Sequence, residues 1–382
     1  MKKIIKKGKI FPVTGESFIG DILIEGDRII SIDENIDCKD AEIIDAENLF
    51  VFPGLVESHC HIGVHREKTN QYSDNDTNEF TQPVSVDSFA IDAIYPFDHG
   101  FKEALSTGVT TVNVFPGSAN PFGGIGTTLK TDMNVPFEDR IILKNSSLKM
   151  ALGENPKRTH TKEIMTRMGT AAIIRRTFNE AINYRNKKDR EYNQKNEILL
   201  KVLNKELPVH AHAHTAEDML TIISIAEEFD FELFLEHATE SHLIADVMKE
   251  KRIKLAIGPM FTSKYKIEVN NRTLKTPSIL YENGIDDFGI ITDHPVIPIM
   301  NLPVEASMAI HYGLDQDVAL KAITINPARN LKISDRIGSI DVGKDADLII
   351  TDKHILDPTH RVIKTFVSGE LAYSMNEERL FV

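Results

Sequence analysis

"VFPGLVESHCHIGVHRE", residues 51–67, decides how this chain is read. An apolar run gives way there to His59 and His61, two histidines set one residue apart. On an extended chain such residues point to the same side, so the two imidazoles can grip one cation. If the run is a barrel strand, the pair stands at its C-terminal end, where parallel barrels keep their active sites.

The sequence around this stretch supports that reading. Between residues 53 and 333, apolar runs of strand length alternate with amphipathic helical stretches, as repeated βα units do. The candidate strands are "GLVES", "GVTTVNVF", "GTTLKT", "SLKMALGE", "LPVHAHA", "FELFLEH", "IKLAIGP" and "GIITDH". Eight of them predict a closed (β/α)8 TIM-type barrel. "RIILK" competes for the third place. Thr215 with Asp218 forms a capping box for a helix presenting Ile222, Ile225, Ala226 and Phe229 on one face. Ser241 is positioned to cap the helix beginning "HLIADVMKEK". Thr161 to Glu206 reads as outer-ring helices with an exposed, charge-laced extension. The flanks, residues 1–52 and 334–382, are β-rich, with a hairpin signal at Gly26-Asp27 and glycine-broken strands near the end. The simplest arrangement pairs both termini into one small β domain beside the barrel.

Composition sets the outer limits. With 382 residues and 41% hydrophobic content, the chain can bury a large core. Its 44 basic and 57 acidic residues leave a formal net charge of -13, which argues against nucleic acid or an anionic membrane as partner. No apolar stretch reaches membrane-spanning length, and Cys38 and Cys60 imply no disulfide framework. The expectation is a cytoplasmic globular protein acting on a small molecule.

Other strand ends then repeat the first one's chemistry. The fifth ends "VHAHAHT", offering His210, His212 and His214 with a common direction. The sixth ends in His237, and the eighth in Asp293. A lone histidine at a strand end is usually structural, and a lone aspartate usually a cap. Four strand ends all supplying ligand types make a metal centre the better reading. Imidazole and carboxylate suit one or two divalent ions, zinc first, with iron or manganese as alternatives.

Taken together, "PGLVESHCH", "VHAHAH", "LEHATE", "ITDHP", "TINPARNL" and "IGSIDVGKDADLII" resemble the amidohydrolase superfamily, most closely the group related to imidazolonepropionase and the Xaa-Pro-type dipeptidases. The resemblance runs from about Gly8 to Ser368. It implies a barrel with a composite β-sandwich built from both ends, metal ligands at His59, His61, His212 and His237, and Asp293 as both ligand and proton shuttle. His210 and His214 are the alternates on the fifth strand. Glu57 stands where the superfamily usually has aspartate. A bridging ligand between two metals falls to Glu154, at the end of "SLKMALGE", or to Lys149 if carboxylated; Glu154 is favoured because a ligand should emerge where a strand terminates. A homo-oligomer is the usual habit.

The chemistry expected is attack of metal-activated water on an amide, cyclic amide or small peptide. The alternatives are an aminohydrolase (deaminase) of a heterocycle, and a scaffold barrel without catalysis. Arg66, Lys130, Arg158, Arg167, Lys264 and Arg272 are the cations available to hold a substrate carboxylate.

Overall fold

The computed structural model describes residues 2–66 and 75–376. Seven of the eight barrel places are filled by short parallel strands: Leu55–Cys60, Val109–Val114, Leu148–Ala151, Val209–Ala213, Leu233–His237, Lys254–Ile257 and Gly289–Ile290. Most of their residues are buried, since core covers one face and helices the other. The third place differs. Thr127–Lys130 runs antiparallel to Val109–Val114, and Phe122–Ile125 runs antiparallel to Leu148–Ala151. One reversed segment, bent at Gly126, thus joins the two halves of the barrel. A Cβ at Gly126 would come within 2.6 Å of the Phe115 ring, so the bend requires glycine. "RIILK" is a strand as well: Ile141–Leu143 pairs outside Thr127–Lys130.

Between the eighth and first strands the seam is closed by a segment that is not itself a strand. Ile290 N donates to the Ala322 carbonyl at 2.8 Å, and Val56 N to the Ile323 carbonyl at 2.9 Å. Both termini meet in one eight-stranded sheet, where Leu348–Thr351 pairs antiparallel with Phe50–Pro53. Ile5, Ile22, Ile24, Val51, Leu348 and Phe366 give that sheet an apolar core of its own. The hairpin turn has Gly26 at φ 61°, the left-handed conformation that glycine adopts at no steric cost.

Of the two helix caps expected from the sequence, one forms. Thr215 accepts from Asp218 N and caps Ala216–Phe229, whose Ile222, Ile225 and Ala226 are buried. Arg167–Arg185 and Gln194–Leu203 pack together in the outer ring, with Tyr184 donating to Glu197 across the turn. Ser241 does not cap: its hydroxyl is buried without a hydrogen bond, and the helix Ala245–Lys251 follows a 3-10 turn, Ser241–Ile244. No helix among the described residues is long and apolar enough to cross a membrane.

Candidate metal centre

The first strand delivers His59 and His61 to one side, as their spacing requires, and Asp293 meets them from the eighth. His61 Nε2 lies 3.2 Å and His59 Nε2 3.4 Å from Asp293 Oδ1. A ligand atom from each of the three falls within 4.8 Å of the others, a set that could hold a metal ion. Glu57 braces this corner. Its buried carboxylate accepts from Thr292 N at 2.8 Å, Thr292 Oγ1 at 2.7 Å and His59 N at 3.1 Å. It therefore ties the first strand to the residue preceding Asp293. Burial pushes its pKa up to about 8 despite those donors.

A second group, His212, His214 and His237, forms beside the first, and the His59 and His237 ring centroids are 4.9 Å apart. His237 at φ 70° and Asp293 at φ 55° both adopt the left-handed backbone, which costs a non-glycine residue about 1–3 kcal/mol. Such strain persists where the surroundings over-determine the conformation, as at sites that must aim a side chain.

Hydrogen bonds on the far ring nitrogens set the direction of the rings. His61 Nδ1–H donates to the Phe115 carbonyl at 2.8 Å, and His237 Nδ1–H to the Gly258 carbonyl at 2.9 Å. His59 Nδ1 faces Glu236 Oε2 at 3.1 Å. In His61 and His237, Nδ1 is hydrogen-bonded to a carbonyl and Nε2 is left for the centre, the arrangement that orients metal-binding imidazoles; His59 Nδ1 meets its carboxylate as an ion pair only. His212 is buried, and neither of its ring nitrogens has a hydrogen-bond partner. A cation is the partner such a ring lacks. Burial first, then neighbouring positive charge, drives the His212 and His214 pKa values well down, and burial takes His237 to about 3, so these rings are neutral donors.

His210 stands apart. It pairs with Glu236 Oε1 at 2.5 Å and stacks on Phe234. Burial disfavours charge on Glu236, but His59 and His210 outweigh it and hold the carboxylate ionised. Burial and the Lys149 ammonium oppose protonation of His59, while Glu236 and Asp293 more than offset both and raise its pKa.

Lys149 and Glu154 lie in different surroundings. Lys149 is fully buried within its strand, with Nζ 3.2 Å from His59 Nε2. Burial lowers its pKa to about 8. Glu154 instead opens the helix Glu154–Thr159, outside both ligand groups. It exchanges hydrogen bonds with Glu268, one of 2.8 Å from its own N–H and one of 3.2 Å to its carboxylate. The strand stops at Ala151, before Glu154 can follow it into the centre.

Above the two groups lies a cavity of about 390 Å³, lined by His61, His212, His214 and Asp293 below and by Arg158, Lys266 and Arg272 from the segments that follow the fourth and seventh strands. Four other cations are placed elsewhere. Lys130 is buried against Asp345 at 2.7 Å, Asp347 at 2.9 Å and Ser368 at 2.8 Å, joining the barrel to the terminal sheet. Lys264 donates to the Asn270 carbonyl of its own loop at 2.5 Å. Arg66 stacks over Tyr95 at 4.8 Å and is not part of the cavity wall. Arg167 is engaged by Asp218 at 2.9 Å. Lys266 and Glu268 escape a reading of strand ends, because they sit in the loop after the seventh strand with no ligand spacing to mark them. Lys266 Nζ pairs with Glu268 and lies 3.2 Å from His214 Nε2.

Known proteins share this arrangement of strands. The sequence pattern of the Amidohydrolase family matches residues 50–372. A solved amidohydrolase from Thermotoga maritima MSB8 is 39% identical, with a TM-score of 0.94 over 97% of this chain and 99% of that one. Amidohydrolase tasK of Hapsidospora irregularis is 27% identical over 92% of this chain and 40% of its own length. An adenine deaminase of Clostridium perfringens is 23% identical over 98% of this chain and 59% of its own. The chain thus spans about half the length of these two curated relatives. It belongs to the amidohydrolase family.

Proposed function

We propose that this chain is a metal-dependent hydrolase cleaving the C–N bond of an amide, cyclic amide or small peptide. The observation that carries the reading is the meeting of His59, His61 and Asp293 with His212, His214 and His237 under one cavity. In this reading His59, His61 and Asp293 hold one ion, and His212 and His237 a second, zinc before iron or manganese. Lys149 would help to hold them if carboxylated by CO₂, a reaction that needs the neutral amine its burial favours.

A divalent ion here supplies a Lewis acid and makes water nucleophilic at neutral pH. The chain's own residues manage the proton. Burial alone would raise the Asp293 pKa, but His237, His59 and His61 outweigh it, and the carboxylate starts ionised. Asp293 takes a proton from the attacking water and gives it to the leaving nitrogen as the C–N bond breaks. The water oxygen stays on the carbonyl carbon, giving acid and amine.

Turnover of N-acyl amino acids, dipeptides and cyclic ureides by Zn²⁺- or Mn²⁺-loaded protein is the test. Release of amine and acid from at least one class is expected; a metal-loaded protein that hydrolyses none would overturn the reading. The likeness to an adenine deaminase supports a second reading, hydrolysis at a heterocyclic amidine carbon. Ammonia release from heterocyclic amines separates it from the first.

A further inference from the structure

The chain as a whole is acidic, at a formal net charge of -13. Its cavity is not. Among the described residues, Arg158, Lys266 and Arg272 face a single lining carboxylate, Asp293. Lys266 is already paired with the buried Glu268. The arginines are uncommitted: among the described residues neither guanidinium makes a hydrogen bond or an ion pair, and Arg272 Nε is buried without a partner. Glu305 interacts electrostatically with Arg272, but its oxygens accept from Met260 N at 2.9 Å and Phe261 N at 3.4 Å. Arg158 comes from the helix after the fourth strand and Arg272 from the segment after the seventh, and both line the same small space.

A buried guanidinium N–H without an acceptor is destabilising, and a carboxylate is the acceptor whose geometry matches the guanidinium fork. Much of the remaining wall is uncharged and hydrogen-bonding, including Asn75, Asn78, Ser118 and Thr239. A neutral heterocycle would leave the buried Arg272 Nε–H unanswered; Arg158 is exposed, and a carboxylate would replace water on it. About 390 Å³ lies near the lower end of ligand cavities and suits a molecule of dipeptide size.

We propose that the substrate bears a free carboxylate held by Arg158 and Arg272, so that the bond cleaved is the amide of a polar N-acyl amino acid or dipeptide. This rests on the hydrolase reading and narrows it.

The test is calorimetric titration of the metal-loaded Asp293→Asn protein with N-acetyl derivatives of the common amino acids, their C-terminal carboxamides and their aminophosphonate counterparts. The best carboxylate should bind about 10- to 100-fold more tightly than its carboxamide, and Arg272→Gln or Arg158→Gln should erase most of that preference. Equal binding of carboxylate and carboxamide, tighter binding of the phosphonates, binding by no probe, or a preference untouched by both substitutions would each overturn it. Wild-type turnover is scored separately. Hydrolysis of neutral amides without carboxylate preference sinks the substrate class and leaves the hydrolase standing. Carboxylate binding with no turnover of any amide does the reverse.

Discussion

Lys149 Nζ lies 3.2 Å from His59 Nε2, although the two residues are 90 positions apart. A fully buried amine beside a histidine, with Glu236 and Asp293 as the acids acting on it, is poorly suited to a structural ion pair. It is well suited to ligation once carboxylated. Lys149→Met preserves the side-chain length without the amine. Metal content, read by elemental analysis, should fall by about one equivalent per chain, and kcat by 100-fold or more. Unchanged metal content would remove Lys149 from the centre.

Asp293→Asn keeps an oxygen ligand and removes the base. The expected result is retained metal with kcat lower by about 10²–10⁴-fold and KM little changed, the range typical of a lost general acid–base. A kcat within a few-fold of wild type would assign the proton transfer to another group.

Lys130 is a structural cation. It bridges Asp345 and Asp347 where the terminal sheet meets the barrel. Lys130→Met leaves two buried carboxylates without their shared partner and should cost about 3–5 kcal/mol, read by denaturant unfolding. At a temperature where the variant is folded, kcat/KM should match wild type. A KM defect there would return Lys130 to the substrate site.

Glu305 should impose a pH dependence on stability. Burial raises its pKa from 4.5 to about 7, so between those values the folded chain holds a proton that the unfolded chain has lost. Its contribution is therefore fully present below about pH 4.5 and is lost as pH rises through about 7. Glu305→Gln mimics the protonated form while keeping an acceptor for Met260 N. The wild-type-minus-variant difference in unfolding free energy should fall between pH 5 and 8; a flat difference would show that the carboxyl titrates normally.

Much of the centre could be read from residue types at strand ends. His59, His61 and Asp293 converge because a parallel barrel brings successive strand ends to one rim, and spacing by two fixes a common side. Strand direction is less legible: "GTTLKT" has strand composition whichever way it runs, and only its partners reveal the reversal. The seam at Ala322–Ile323 is hidden for a similar reason, since two backbone carbonyls do its work without strand character. Preferring Glu154 to Lys149 rests on where a ligand should emerge from a strand. The sequence does not reveal how far a lysine stem reaches from inside a short strand. Lys266 and Glu268 depend on a loop path that no periodicity encodes.

Anomalous diffraction at a transition-metal absorption edge, on crystals of the protein as purified, tests the metal centre most directly. A peak about 2.0–2.2 Å from the Nε2 atoms of His59 and His61 and from an Asp293 carboxylate oxygen is the result predicted. Peaks only elsewhere, or none in crystals grown with added Zn²⁺, would contradict it.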